Sequence, residues 1–163
     1  MACDHTHSEF WRGDPAIEDT MKIQELLSPE AVRIDLKVSN KKQAFRALAK
    51  IACSITGVEE RLICDTLIQR ERLATTGVGE GVAIPHAKID GLDKLCAVFA
   101  RLKTPINYDS VDDEHVDLIF MLVGPLSSEH VHLKALAKIA RLLRSATMCA
   151  KLRGSTSADA IYA

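Results

Sequence analysis

The strand signal at Val116-Asp117-Leu118-Ile119-Phe120-Met121-Leu122-Val123 constrains this chain most. It is apolar except at Asp117, and Gly124-Pro125 ends it. Cys96 to Leu102 reads as a second buried strand. Val32, Ile34, Leu36 and Val38 alternate along a third, half-buried strand from Ala31 to Val38. Helical patterns separate these runs. Ser39-Asn40 offers an N-cap for a helix to about Thr56, with Phe45, Leu48, Ala52 and Ile55 at helical spacing and Gly57 closing it. A second helix is expected from about Glu59 to Leu73. A third should run from His130 to Leu143, with Leu133, Leu136, Ala137, Ala140 and Leu143 as its apolar stripe. Strands and helices interleave, so the fold class is α/β, a sheet covered by helices.

Shorter elements fill the gaps. Met21 to Leu27 reads as a short helix that stops at Ser28-Pro29. Thr104-Pro105-Ile106-Asn107-Tyr108 is expected to turn the chain. Cys149 to Arg153 reads as one helical turn, and Ser157 as the cap of a final helix. The 163 residues suit one domain, covering 21–163, behind a tail at 1–20 that shows no period and reads as flexible.

Composition narrows the function. The formal net charge is −1 and no basic run stands out, so general electrostatic binding to nucleic acid is not expected. No apolar run approaches the roughly 18 residues of a membrane span, and the N-terminus does not read as a secretory signal. Cys3, Cys53, Cys64, Cys96 and Cys149 are widely spaced without a C-x-x-C pair. They read as reduced, mostly buried thiols in a cytoplasmic protein, not as a disulfide framework or a zinc site.

The chemistry concentrates at Thr75-Thr76-Gly77-Val78-Gly79-Glu80-Gly81-Val82-Ala83-Ile84-Pro85-His86-Ala87. Glycines allow positive φ and close approach of another group. Val82 to Ile84 suit a buried strand; Pro85 removes a ladder donor, so the strand ends there or lies at an edge, leaving His86 where an apolar element meets a loop. A neutral imidazole is a good nucleophile near neutral pH. The preceding glycines could bind an anion beside it through backbone N–H groups. The segment lacks the Gly-Lys-Ser/Thr of a Walker loop and the third glycine of a dinucleotide site.

Arg70 shares a helix face with Ile63 and Leu67, so it either snorkels or delivers a cation into a site. His132 faces the packed side at the start of the third helix, whereas His130, two residues earlier, does not share that face. Three histidines, His86, His130 and His132, leave a metal-dependent hydrolase as a weaker reading. Cys3, Asp4, His5 and His7 lie in the tail. The acidic residues Asp109, Asp112, Asp113, Glu114 and Asp117 read as a solvated turn without calcium-loop spacing. No metal site or cofactor is expected.

The run Arg70-Glu71-Arg72-Leu73-Ala74-Thr75-Thr76-Gly77 to His86, together with His132-Leu133-Lys134-Ala135-Leu136 to Leu143, resembles the signature of a known family. That family is the enzyme IIA domain of the mannitol/fructose class of the phosphoenolpyruvate:sugar phosphotransferase system. The resemblance covers about Met21 to Tyr162. Pro85-His86-Ala87-Lys88 and a lone domain look most like its nitrogen-regulatory branch. The resemblance implies a single domain with a mixed, mostly parallel sheet flanked by helices. It implies that His86 accepts a phosphoryl group on Nε2, that Arg70 and His132 line the pocket, and that Thr75, Thr76, Gly77 and Gly79 contribute phosphate-binding donors. It implies a small histidine phosphocarrier protein, HPr-like, as donor. Two outlets stay open: a regulatory module whose phosphorylation state selects its target proteins, or a sugar-specific component passing phosphate to a IIB domain.

Overall fold

The run from Val116 becomes the middle of the sheet because both its edges are used. In the computed structural model, which describes residues 23–127 and 129–162, six strands form one sheet. They are β1 (Leu27–Leu36), β2 (Gly77–Gly79), β3 (Val82–Ala83), β4 (His86–Lys88), β5 (Cys96–Ile106) and β6 (Val116–Gly124). The order is β1-β5-β6-β3-β2, with β4 also on β6. β6 runs antiparallel to β5 and parallel to both β3 and β4, and β1 runs parallel to β5. The mixed, mostly parallel α/β sheet is therefore present. Among the described residues six helices accompany it: α1 (Ile23–Leu26), α2 (Lys41–Thr56), α3 (Glu60–Leu73), α4 (Glu129–Arg144), α5 (Ala146–Gly154) and α6 (Ala158–Tyr162). Residues 1–20 lie outside the described residues.

Local chemistry sets the helix ends. The Asn40 side chain accepts from the Gln43 N–H at 2.9 Å, and Gln43 reaches back to the Ser39 N–H at 2.8 Å, a reciprocal cap that starts α2. Gly57 ends it at φ +77°, its N–H on the Cys53 carbonyl. Ser157 caps α6 through the Ala160 N–H at 3.1 Å. Phe45, Leu48 and Ala52 of α2 and Ile63 and Leu67 of α3 are fully withdrawn from water, as their spacing requires. Phe99 and Phe120, partners across β5 and β6, stack edge to face at 5.9 Å.

Three expectations change. The first helix does end before Ser28-Pro29, but β1 begins at Leu27 instead of Ala31 and runs through Pro29, because β1 is an edge strand and its pairing slips between Leu27 and Val32. Pro105 likewise lies inside β5, where pairing with β6 is irregular between Arg101 and Ile106. A missing N–H costs little off the ladder. On α4 the buried face is His132, Ala135, Ile139 and Leu143, with Leu136 and Ala140 partly buried. Leu133 and Ala137 point to solvent. His132 lies on the inner face as expected, and Ala135 and Ile139 share it in place of Leu133 and Ala137.

Candidate functional site

His86 stands at a break in the sheet made by Pro85. β3 pairs with β6 through Val82↔Leu118 and Ala83↔Ile119, and pairing resumes at His86↔Leu122. Between them the Ile84 N–H turns to the Thr76 carbonyl at 2.9 Å, and the Pro85 carbonyl accepts from the Leu122 N–H at 3.0 Å. β3 thus ends before Pro85, as expected, and a second short strand, β4, takes up the pairing with β6 directly after it. The half-buried His86 ring places Nδ1 2.9 Å from the Ile84 carbonyl. A carbonyl only accepts, so Nδ1 carries the proton and Nε2 keeps its lone pair.

His132 reaches the same place from the other side of β6. The strand leaves the sheet at Gly124-Pro125 and α4 begins at Glu129, bringing His132 into its first turn. The two imidazole centroids lie 6.1 Å apart. His132 is 2% exposed, yet neither ring nitrogen has a hydrogen-bond partner within the protein. A Cβ on Gly124 would stand 2.8 Å from His132 Nδ1 and 2.6 Å from a Leu95 methyl, so the ring settles there only over a glycine.

Both rings are held neutral. Burial lowers the His86 pKa, the hydrogen bond to Ile84 opposes this, and the Arg70 charge lowers it further. Burial chiefly, then His86 and Lys88, push His132 down to about 4. A buried neutral imidazole with an unpaired N–H is a donor awaiting an acceptor.

Arg70, half-buried in the last turn of α3, donates from Nη1 to the Ala74 carbonyl at 3.1 Å and acts electrostatically on His86. Thr75 is half-buried beside it, its Oγ1 accepting from the Gly77 N–H at 3.1 Å. Thr76 is buried, and both its N–H and its hydroxyl are committed to Glu71. Gly77 lets Ser110 approach; a Cβ there would overlap Ser110 Oγ at 2.3 Å. Gly79, at φ +109°, lies beside the Asp112 carboxylate, whose Oδ2 accepts from the Glu80 N–H at 2.8 Å. The structure thus gathers His86, His132 and Arg70, and Thr75 follows the Ala74 carbonyl that Arg70 holds, whereas Thr76, Gly77 and Gly79 have neighbours of their own in the supporting loop. His130 is exposed, and among the described residues no group of three His, Cys, Asp or Glu side chains could hold a metal ion. Cys53, Cys64, Cys96 and Cys149 are free thiols.

Glu71 and Gly124 had not been singled out as site residues. Glu71 lies inside the Arg70-Glu71-Arg72 run, where a carboxylate looks like any solvated helix residue; Gly124 looks only like the end of a strand. One hollow of the structure, of about 830 Å³, does not include His86 in its lining; charged residues of α2 and α3 line it, including Lys42, Arg46, Asp65 and Arg72.

A mixed sheet of this connectivity, flanked by helices, is that of the enzyme IIA class. Among solved structures, it is similar to the nitrogen regulatory protein IIA-Ntr from Neisseria meningitidis, with a TM-score of 0.82 at 29% identity over 86% of this chain and 96% of that one. In sequence it is 51% identical over 142 residues to a nitrogen regulatory protein of Bradyrhizobium diazoefficiens, covering 87% of this chain and 93% of that protein. It is 29% identical over 142 residues to the fructose-specific EIIABC component of Bacillus subtilis, covering 86% of this chain and 22% of that protein. The family model for the phosphoenolpyruvate-dependent sugar phosphotransferase system, EIIA 2, matches residues 25–163, and the chain belongs to that family.

Proposed function

We propose that the chain is a phosphoryl carrier of the nitrogen-regulatory type, working in the cytoplasm. His86 Nε2 accepts the phosphoryl group from a small histidine phosphocarrier protein, and the phosphorylation state then decides which regulatory target is bound. The observation that carries this reading is the Nδ1 bond to the Ile84 carbonyl, which leaves Nε2 as the lone pair. In the transfer, the donor's P–N bond breaks as a new P–N bond forms on Nε2. The electron pair of the broken bond stays on the donor ring. The His86 ring becomes cationic, and its Nδ1–H strengthens its bond to Ile84 as that charge develops.

Such a transfer passes through a loose, metaphosphate-like state, so the protein supplies position and donors. Arg70 offers a permanent forked cation to the equatorial oxygens, and Thr75 a hydroxyl. A phosphoryl oxygen gives the orphaned His132 the acceptor it lacks. Two neutral donors against one cation also favour release, since too much fixed positive charge would trap the group. Exposed apolar side chains sit on the elements that carry the site, among them Leu73, Val78, Leu126 and Leu133. They suit docking of a donor or acceptor protein.

Incubation with phosphoenolpyruvate and the general phosphotransfer proteins, followed by intact-mass analysis and site mapping, should find one phosphoryl group on His86. His86→Ala should abolish it. Labelling of that variant at the wild-type rate would end this reading. Similarity to the fructose-specific protein supports a second outlet, transfer to a IIB domain of a fructose/mannitol-type permease. Passage of label from phosphorylated protein to an added IIB domain would establish it.

A further inference from the structure

The orientation of His86 depends on a chain of hydrogen bonds that begins on α3. His86 Nδ1–H donates to the Ile84 carbonyl at 2.9 Å. The Ile84 N–H donates to the Thr76 carbonyl at 2.9 Å. The Thr76 N–H donates to the Glu71 carboxylate at 3.0 and 3.2 Å, and the Thr76 hydroxyl donates to Oε2 at 2.6 Å. Glu71 follows Arg70, which holds the Ala74 carbonyl. Adjacent residues of one helix therefore clasp the segment from Ala74 to Thr76 at both ends.

The Glu71 carboxylate is only 7% exposed, and Lys41 Nζ pairs with it at 2.9 Å. Lys41 in turn lies 4.4 Å over the Tyr108 ring. Because the Thr76 hydroxyl proton points to Glu71, the Tyr108 hydroxyl, 2.7 Å away, must donate to Thr76 Oγ1. Burial, and then the Glu71 charge, hold that phenol protonated. A carboxylate withdrawn from water and fully bonded fixes geometry more than it adds stability.

We infer that Glu71 is a positioning residue for phosphoryl acceptance. By pinning Thr76 it fixes the Thr76–Ile84–His86 chain that orients the nucleophile, and it holds the segment that presents Thr75 beside Arg70. This inference rests on the reading of His86 as acceptor.

The test uses the full chain with its phosphorylated donor. Glu71→Gln keeps the shape but sets an amide against Lys41 or Thr76. The expected result is a folded protein whose kcat for phosphoryl acceptance falls about 10- to 30-fold with the KM for the donor nearly unchanged. The His86 ring nitrogen resonances should move toward a mixture of tautomers. Combined with Thr75→Ala, the loss should be smaller than the product of the single losses, because both act through one loop. Tyr108→Phe, removing only the outermost hydroxyl, should slow transfer about 2- to 3-fold. Wild-type rate and wild-type nitrogen shifts in Glu71→Gln would overturn the inference; if that variant does not fold, the same result in Tyr108→Phe would do so. Failure of the wild-type chain itself to label His86 would instead remove the carrier reading, and this inference with it.

Discussion

At the residue scale, the problem His86 solves is to offer a lone pair without offering a charge. Burial and the Arg70 guanidinium keep the proton off Nε2, while the Ile84 carbonyl fixes the remaining proton on Nδ1. His132 contributes only if its ring can lie flat over Gly124. Gly124→Ala should therefore act at a distance from the nucleophile. A Cβ would meet His132 Nδ1 and the Leu95 side chain below 3 Å, and the displacement should cost about 1–3 kcal/mol of stability. The transfer rate should fall with it, about tenfold if the ring moves by an ångström or less. Urea melts together with phosphoryl-transfer rates check both; an unchanged rate in a destabilised protein would show that the position of His132 does not matter to the chemistry. His86 was legible in the sequence because glycines and a proline crowd the residues before it. Glu71 was not, because its burial is created by Lys41 and Tyr108, 30 residues before and 37 residues after it in the sequence.

At the scale of elements, the helices followed from periodicity and caps, and the strands from apolar runs, with prolines the main source of error. Pro29 and Pro105 were each placed outside a strand, one at a helix stop and one in a turn, and each lies inside one. Irregular register frees both positions from ladder pairing, so neither missing N–H is felt. The α4 stripe was misplaced in part: His132 was placed on the packed side and lies there, but Leu133 was also assigned inward by hydropathy, although it follows His132 directly on the helix, and stands at 59% exposure. The α2 terminus was read correctly, and it isolates backbone strain from packing. Gly57 has φ +77° and nothing within 4 Å of a built Cβ. Gly57→Ala should cost about 1 kcal/mol through left-handed backbone strain alone, with phosphoryl transfer unchanged. Loss of transfer in this variant would mean that the end of α2 communicates with His86.

For the whole molecule, a neutral buried imidazole ties stability to pH. Above pH 6.5, His132 is unprotonated whether the chain is folded or not, and it contributes no pH dependence. As pH falls, the unfolded chain takes up the proton while the folded protein, with His132 pushed down to about 4, refuses it. Stability is therefore lost progressively between pH 6.5 and about 4, and this contribution levels off below. Its upper bound is about 3 kcal/mol, and His86, lowered in the same direction, adds to the slope. Urea unfolding at intervals from pH 7.5 to 4.5 should show this decline in the wild type and a shallower one in His132→Gln, which keeps a polar group but does not titrate. Parallel curves would mean that the folded protein accepts the His132 proton readily. In that case the pocket would gain a second cation beside Arg70 below about pH 6.5, and a phosphoryl group on His86 would be held more tightly, and passed on more slowly, as the medium acidifies.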